Sequence, residues 1–123
     1  MKEVGNILRI LKKAKQLIEE DNPNELKTLS GETIHSATIS QDADNIIVAV
    51  LIYAIGKVLE RDHYRDMDGW KEFYNAVTKN LGLAIVALEK ENIKNTRIYL
   101  GRIRNSLKYL KDHKFCFISF ALY

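Results

Sequence analysis

The stretch Ile46–Ile55 reads IIVAVLIYAI, and its only polar side-chain group is the Tyr53 hydroxyl. A helix on a protein surface shows one apolar stripe, whereas a helix that is apolar all round is buried. The apolar character persists to Leu59 without turn residues, and this length favours a helix over a buried strand. We therefore predict a helix over about residues 41–61 that is buried on every side and forms the centre of the fold.

Three other segments show apolar residues at intervals of three and four, which is the pattern of an amphipathic helix. They run over about residues 4–18, 70–88 and 93–110. With the central segment they make four long helices, and helices of this length with short connections are typical of a bundle.

A further helix is predicted to start at residues 22–25 (NPNE), where the asparagine serves as N-cap and the glutamate takes the capping-box position. Serine and threonine are frequent between this start and Ser40, and their side chains compete for backbone hydrogen bonds. We expect this helix to be short and to fray before Ser40. The sequence thus predicts an all-α bundle of four long helices plus one short helix, in a single domain over residues 1–123.

Three glycines fall inside the predicted helices, where each costs about 1 kcal/mol relative to alanine. They are Gly56, Gly82 and Gly101. Such a cost favours positions where another helix crosses closely, and the alternative is that one or two of these glycines lie on exposed faces.

The composition excludes several classes of protein. A single cysteine, Cys116, rules out an intrachain disulfide and a metal site built mainly from thiolates. The first residues are charged and lack the apolar core of a signal peptide. The apolar run of ten residues is about half of the ~20 that cross a bilayer. We expect a cytoplasmic protein with no cofactor and no membrane partner.

The net charge of +3 is unevenly distributed, since residues 90–114 carry eight lysines and arginines against two acids. Five of these cations border the apolar seam of the last predicted helix, each one residue after a seam position, and Gly101 takes the remaining place in the row. They are Lys94, Arg97, Arg104, Lys108 and Lys111. Cations spaced along one helix face can neutralise successive phosphates, so nucleic-acid binding is one hypothesis and a solvated helix face is the alternative.

A catalytic site is suggested only by His35 with Asp42 shortly after it, because a histidine oriented by a carboxylate is the minimal acid–base pair. Nothing here has the spacing of a catalytic motif, and the alternative is that Asp42 caps the central helix beside an exposed His35. The segment DMDG at residues 66–69 fails as a calcium loop, since Tyr64 and Asn75 stand where acids are needed. The histidines are too separated to suggest zinc. We expect no metal site and no enzyme activity.

Residues 115–123 (FCFISFALY) are apolar or aromatic at eight of nine positions. Left free, such a segment promotes aggregation. It therefore folds back onto the bundle, buries itself in a partner or a second copy, or marks a truncated chain. The candidate interface residues in this segment are Phe115, Phe117, Ile118, Phe120, Leu122 and Tyr123.

The stretch Leu29–Arg61 resembles a family of uncharacterised archaeal helical proteins. In that family a Thr-Ile-His segment and a Gln-Asp-x-Asp segment precede a buried apolar helix, as residues 33–35 and 41–44 do here. The resemblance implies a helical fold and no known activity, so it assigns no functional residue. Longer members continue into a helix-turn-helix-like region, whereas this sequence ends at Tyr123, which favours a truncated domain and puts autonomous DNA recognition in doubt.

These observations support three hypotheses of different classes. The first is a non-enzymatic helical interaction domain that self-associates or binds a protein partner through helix faces and the apolar segment 115–123. The second is a nucleic-acid-binding or regulatory protein that uses the basic helix at residues 90–114. The third is an enzyme with a site at His35 and Asp42.

Overall fold

The computed structural model describes residues 1–110, and this part of the chain is helical with no strand. The six α-helices are α1 (Val4–Glu19), α2 (Pro23–Ser40), α3 (Ala43–Leu59), α4 (Asp62–Arg65), α5 (Trp70–Glu89) and α6 (Ile93–Ser106). A 3-10 turn at Leu107–Tyr109 follows α6. The prediction of an all-α fold is confirmed.

The number of long helices differs from the prediction, because α2 has 18 residues instead of being short. Its hydroxyl side chains bond to carbonyls without breaking the helix: Thr33 Oγ1 donates to the Leu29 carbonyl at 2.7 Å, one turn back. Ser30 Oγ donates across to the Ala49 carbonyl of α3 at 2.8 Å. The groups that were expected to compete with the helix backbone are therefore satisfied within the folded structure.

The helices form two antiparallel hairpins, α2–α3 and α5–α6, with α1 packed against α5 and α2. The short connections of these hairpins make consecutive helices neighbours. Buried residues of α1, α3, α5 and α6 meet in one apolar core. By contrast, α3 and α6 come from different hairpins and touch only lightly.

The prediction that the central helix is buried on every side is wrong for one side of it. The inward residues Val48 and Val58 are fully buried, but Ile46 is 43% exposed, Ile47 48% and Tyr53 41%. The reason lies in the packing: α2 covers one flank of α3, the core covers its inner side, and α6 lies loosely against the other flank. The outward side has no helix over it within residues 1–110.

Candidate functional site

The outward side of α3 carries an apolar strip in the part of the chain that the structure describes. Ile46, Val50 and Tyr53 follow each other at intervals of four and three residues, so their side chains share one face of the helix. Ile46 and Tyr53 are exposed and Val50 is half-buried. We call these three residues the outer stripe.

Beside the outer stripe, an apolar groove of about 270 Å³ separates α3 from α6. Its apolar lining comes from Ile47 and Leu51 of α3 and from Leu100 and Gly101 of α6. A Cβ atom added at Gly101 would meet no atom of residues 1–110 within 4 Å, so these residues leave free space at this point of the groove. We call it the α3–α6 groove. Its volume falls below the roughly 300–1,000 Å³ of small-molecule sites, and its lining suits the apolar side chains of a polypeptide.

One end of the groove is closed by a bidentate ion pair between the two helices. Arg97 donates from Nε to Asp44 Oδ1 at 3.0 Å and from an Nη to Oδ2 at 2.9 Å. The same carboxylate lies 3.0 Å from the α-amino group of Met1. The hydrogen bond from Arg97 holds the pKa of the Asp44 carboxyl below its ordinary value, although partial burial acts in the opposite direction. Asp44 stays ionised and fixes the start of α3 to α6.

The predicted basic row does not form one free surface. Arg97 is engaged with Asp44, and Arg104 lies half-buried in the lining of the α3–α6 groove. Lys94 is exposed on α6, and Lys108 is exposed in the turn after it. Lys111 lies outside the described residues, and so do the candidate interface residues of segment 115–123, from Phe115 to Tyr123.

Lys108 lines a different cavity of about 610 Å³ with Tyr109 and the residues that connect α4 to α5. Asp66, Asp68 and Glu72 give this cavity a carboxylate-rich wall. No group of three or more histidine, cysteine, aspartate or glutamate residues within 1–110 is arranged to hold a metal ion. The acidic cavity therefore offers charge and space but no ligand set.

The structure gives Asp42 a local structural role. Asp42 is buried, and its carboxylate accepts hydrogen bonds from the backbone N–H groups of Asp44 at 3.1 Å and of Lys2 at 3.0 Å. His35 is exposed on α2, and no hydrogen bond joins it to Asp42 in the described part of the chain. Asp42 thus acts as the N-cap that the sequence analysis gave as its alternative.

Sequence reasoning missed the α3–α6 groove and the outer stripe. The apolar run was interpreted as a fully buried helix, and periodicity in α3 gives no signal because its exposed and buried positions are equally apolar. A signal for the groove exists only in the packing of α3 against α6, whose contacting residues lie about fifty positions apart.

Two further searches returned no match. None of the helices within residues 1–110 is both long enough and apolar enough to cross a membrane. Comparison with known proteins finds no matching family model, no matching curated protein and no matching solved structure. The function is therefore inferred from the outer stripe and the α3–α6 groove.

Proposed function

We propose that this chain is a non-enzymatic helical interaction domain that self-associates through the outer stripe on α3. The observation that carries the proposal is the exposure of Ile46 and Tyr53 in the most apolar helix of the fold. Isolated apolar residues are common on surfaces, but contiguous apolar strips mark sites of protein interaction.

The physical gain of association is the removal of this area from water. Burying apolar surface contributes roughly 25 cal/mol per Å² of favourable free energy, so contact between the outer stripe and another apolar surface stabilises a complex. A second copy presents the same stripe, and a two-fold axis would bring the two stripes together as one isologous contact. A different protein with an apolar helix face could bury the outer stripe in the same way.

The test is the molar mass of the purified chain, measured by size exclusion with light scattering over a range of concentrations. We expect a mass that approaches twice the 14.2 kDa of one chain as concentration rises. The double variant Ile46→Glu, Tyr53→Glu should remain at the mass of one chain, because two carboxylates would have to be buried in the contact.

The matched control is Val86→Glu on α5, since Val86 is an apolar residue of similar exposure, 48%, on a different helix. This variant should associate as the natural chain does. If the natural chain keeps the mass of a monomer at every concentration, or if Val86→Glu disrupts association equally, then self-association through the outer stripe is wrong.

Nucleic-acid binding is the second candidate, and the exposure of Lys94 and Lys108 at and beyond α6 supports it. A duplex titration at two salt concentrations tests it, because phosphate contacts make affinity fall steeply with salt. We would make Arg97, Arg104 and Lys108 acidic together. Unchanged binding in that triple variant, or binding that is insensitive to salt, would contradict this candidate.

A further inference from the structure

We propose that the α3–α6 groove is the docking site of residues 115–123 of the same chain. This inference goes beyond self-association, because the residues that line the groove differ from those of the outer stripe. It gives the apolar segment 115–123 a place on the bundle, and it leaves the outer stripe free for a partner.

The length of chain between the described residues and this segment allows the placement. The described part ends at Leu110, whose side chain is buried and therefore anchors the chain beyond α6. An extended chain covers about 3.3–3.6 Å per residue, so residue 115 can lie up to about 17 Å from Leu110. The near end of the groove, at Arg104, is six residues before Leu110, which is about 10 Å along the helix.

The lining residues of the acidic cavity and of the α3–α6 groove show which of the two fits segment 115–123. The acidic cavity near Tyr109 is the nearer one, but Asp66, Asp68 and Glu72 line it, and an apolar segment would desolvate these carboxylates without pairing them. The α3–α6 groove has an apolar floor, and the missing side chain at Gly101 leaves space above α6. Segment 115–123 has no charged side chain and eight apolar or aromatic residues, so it matches this floor.

Docking within one chain is favoured over docking between copies. A segment tethered by only four residues to Leu110 has an effective concentration on the order of millimolar at a site within its reach. A second copy would have to exceed that concentration to displace it. We therefore assign the groove to the segment of its own chain.

The natural sequence offers a probe for this, because Cys116 is the only cysteine among its 123 residues and lies inside the segment. A nitroxide attached to Cys116 broadens the NMR signals of methyl groups close to it. We expect the methyl signals of Ile47, Leu51 and Leu100 to lose most of their intensity. The methyl signals of Val86, which is as exposed as Ile47 but does not line the groove, should keep theirs.

Two variants at Gly101 sharpen the measurement. Gly101→Phe would fill the groove, so the broadening at Ile47 and Leu51 should disappear. Gly101→Ala adds one methyl group in open space and should retain it. The signals of core residues such as Val48 report whether each variant is folded.

A mixed sample separates the two ways of docking. In it, isotope-labelled chains without nitroxide are combined with unlabelled chains that carry the nitroxide. Both kinds of chain carry Ile46→Glu and Tyr53→Glu, so that the outer stripes do not bring two copies together. Broadening of Ile47 in this mixed sample can come only from a nitroxide on another copy, so it would mean docking of the segment between copies and would overturn the proposal. Broadening around Asp66 and Glu72, or none in the groove, would overturn it as well.

Failure of this inference is distinguishable from failure of the proposed function. If the nitroxide leaves the groove signals unchanged while Ile46→Glu, Tyr53→Glu abolishes association, the outer stripe is an interface and the groove is not the docking site. If the groove signals broaden within one chain and the mass stays that of a monomer, the docking stands and self-association is wrong.

Discussion

The two flanks of α3 differ although they belong to the same apolar helix. On the α2 flank, a Cβ atom at Gly56 would lie 3.1 Å from Lys27 Cγ and 3.4 Å from the Pro23 carbonyl oxygen, so the two helices are in close contact there. On the α6 flank, a Cβ atom at Gly101 would meet no atom of the described residues within 4 Å. We call the contact between α2 and α3 the closed seam, and the side of α3 that faces α6 the open flank.

Polar contacts strengthen this difference. The closed seam holds the buried Ser30 hydrogen bond to the Ala49 carbonyl, and an ion pair of Lys27 with Glu60 at 2.5 Å. The open flank has Asp44–Arg97 as the ion pair at its end. The comparison teaches that apolar character alone does not decide which flank of a helix closes: α2 and α3 are joined by a short turn, whereas α6 reaches α3 from a separate hairpin.

The largest expected effect comes from adding the same side chain to both flanks. Gly56→Leu should lower the free energy of unfolding by about 1–3 kcal/mol, because the closed seam has no room for it. Gly101→Leu should leave the free energy of unfolding within about 1 kcal/mol of the natural value, since leucine gains helix propensity and its side chain would displace at most the docked segment 115–123 and no described helix. Urea unfolding followed by circular dichroism measures both. Equal losses in the two variants would contradict the contrast between the flanks.

A smaller effect is expected from the hydroxyl groups of α2. Ser30→Ala should reduce the free energy of unfolding by about 0.5–1 kcal/mol, because the buried Ala49 carbonyl loses its side-chain donor while alanine gains helix propensity. Thr38→Ala is the control, since exposed Thr38 donates to the Ile34 carbonyl of its own helix, at 2.9 Å. The same urea measurement applies. If Thr38→Ala lowers the free energy of unfolding as much as Ser30→Ala does, the hydrogen bond from Ser30 to α3 contributes no more stability than one within α2.

The smallest effect concerns the Asp44–Arg97 pair and depends on pH. Because the pKa of Asp44 is lowered in the folded state, the pair contributes stability above the ordinary aspartate pKa, and this stability is lost as pH falls through the lowered value. Arg97→Gln should therefore reduce the melting temperature by a few degrees at neutral pH. At a pH low enough to protonate Asp44, the variant and the natural chain should have the same melting temperature.

Lys94→Gln, which removes an exposed cation of the same helix, is the control for the loss of one positive charge. It should melt as the natural chain does across the pH range. A loss in Arg97→Gln that persists unchanged at acid pH would mean that Arg97 acts through packing and not through the charge of Asp44.

Much of the local structure was predictable from the sequence. The N-cap of α2 is found as expected, with the Asn22 side chain accepting from the Glu25 N–H at 3.3 Å. The seam of α5 is buried at Phe73, Val77 and Leu88, and the α6 seam at Leu100 and Ile103. These features were readable because caps and amphipathic faces depend on residues within one or two turns of each other.

The errors have the same physical origin. The serines and threonines of α2 were expected to end the helix, but Ser30 finds its acceptor on α3, nineteen residues away, and the helix continues. The sequence did not separate the glycines either: Gly56 lies at a close crossing, as favoured, whereas a Cβ atom at Gly101 would meet no described atom within 4 Å, as the alternative allowed. In each case the partner, or its absence, lies on another helix.

The sequence by itself determined that this protein is helical, where most of its helices begin, and which faces of α5 and α6 point inward, because these depend on local hydrogen bonding and on the period of apolar residues. Only the tertiary structure decided that α3 is covered on one flank and open on the other, and that Arg97 meets Asp44 across 53 residues of sequence. The sequence of a helix that is apolar all round does not indicate which side will pack against another helix. The outer stripe and the α3–α6 groove therefore arise from how the two hairpins pack.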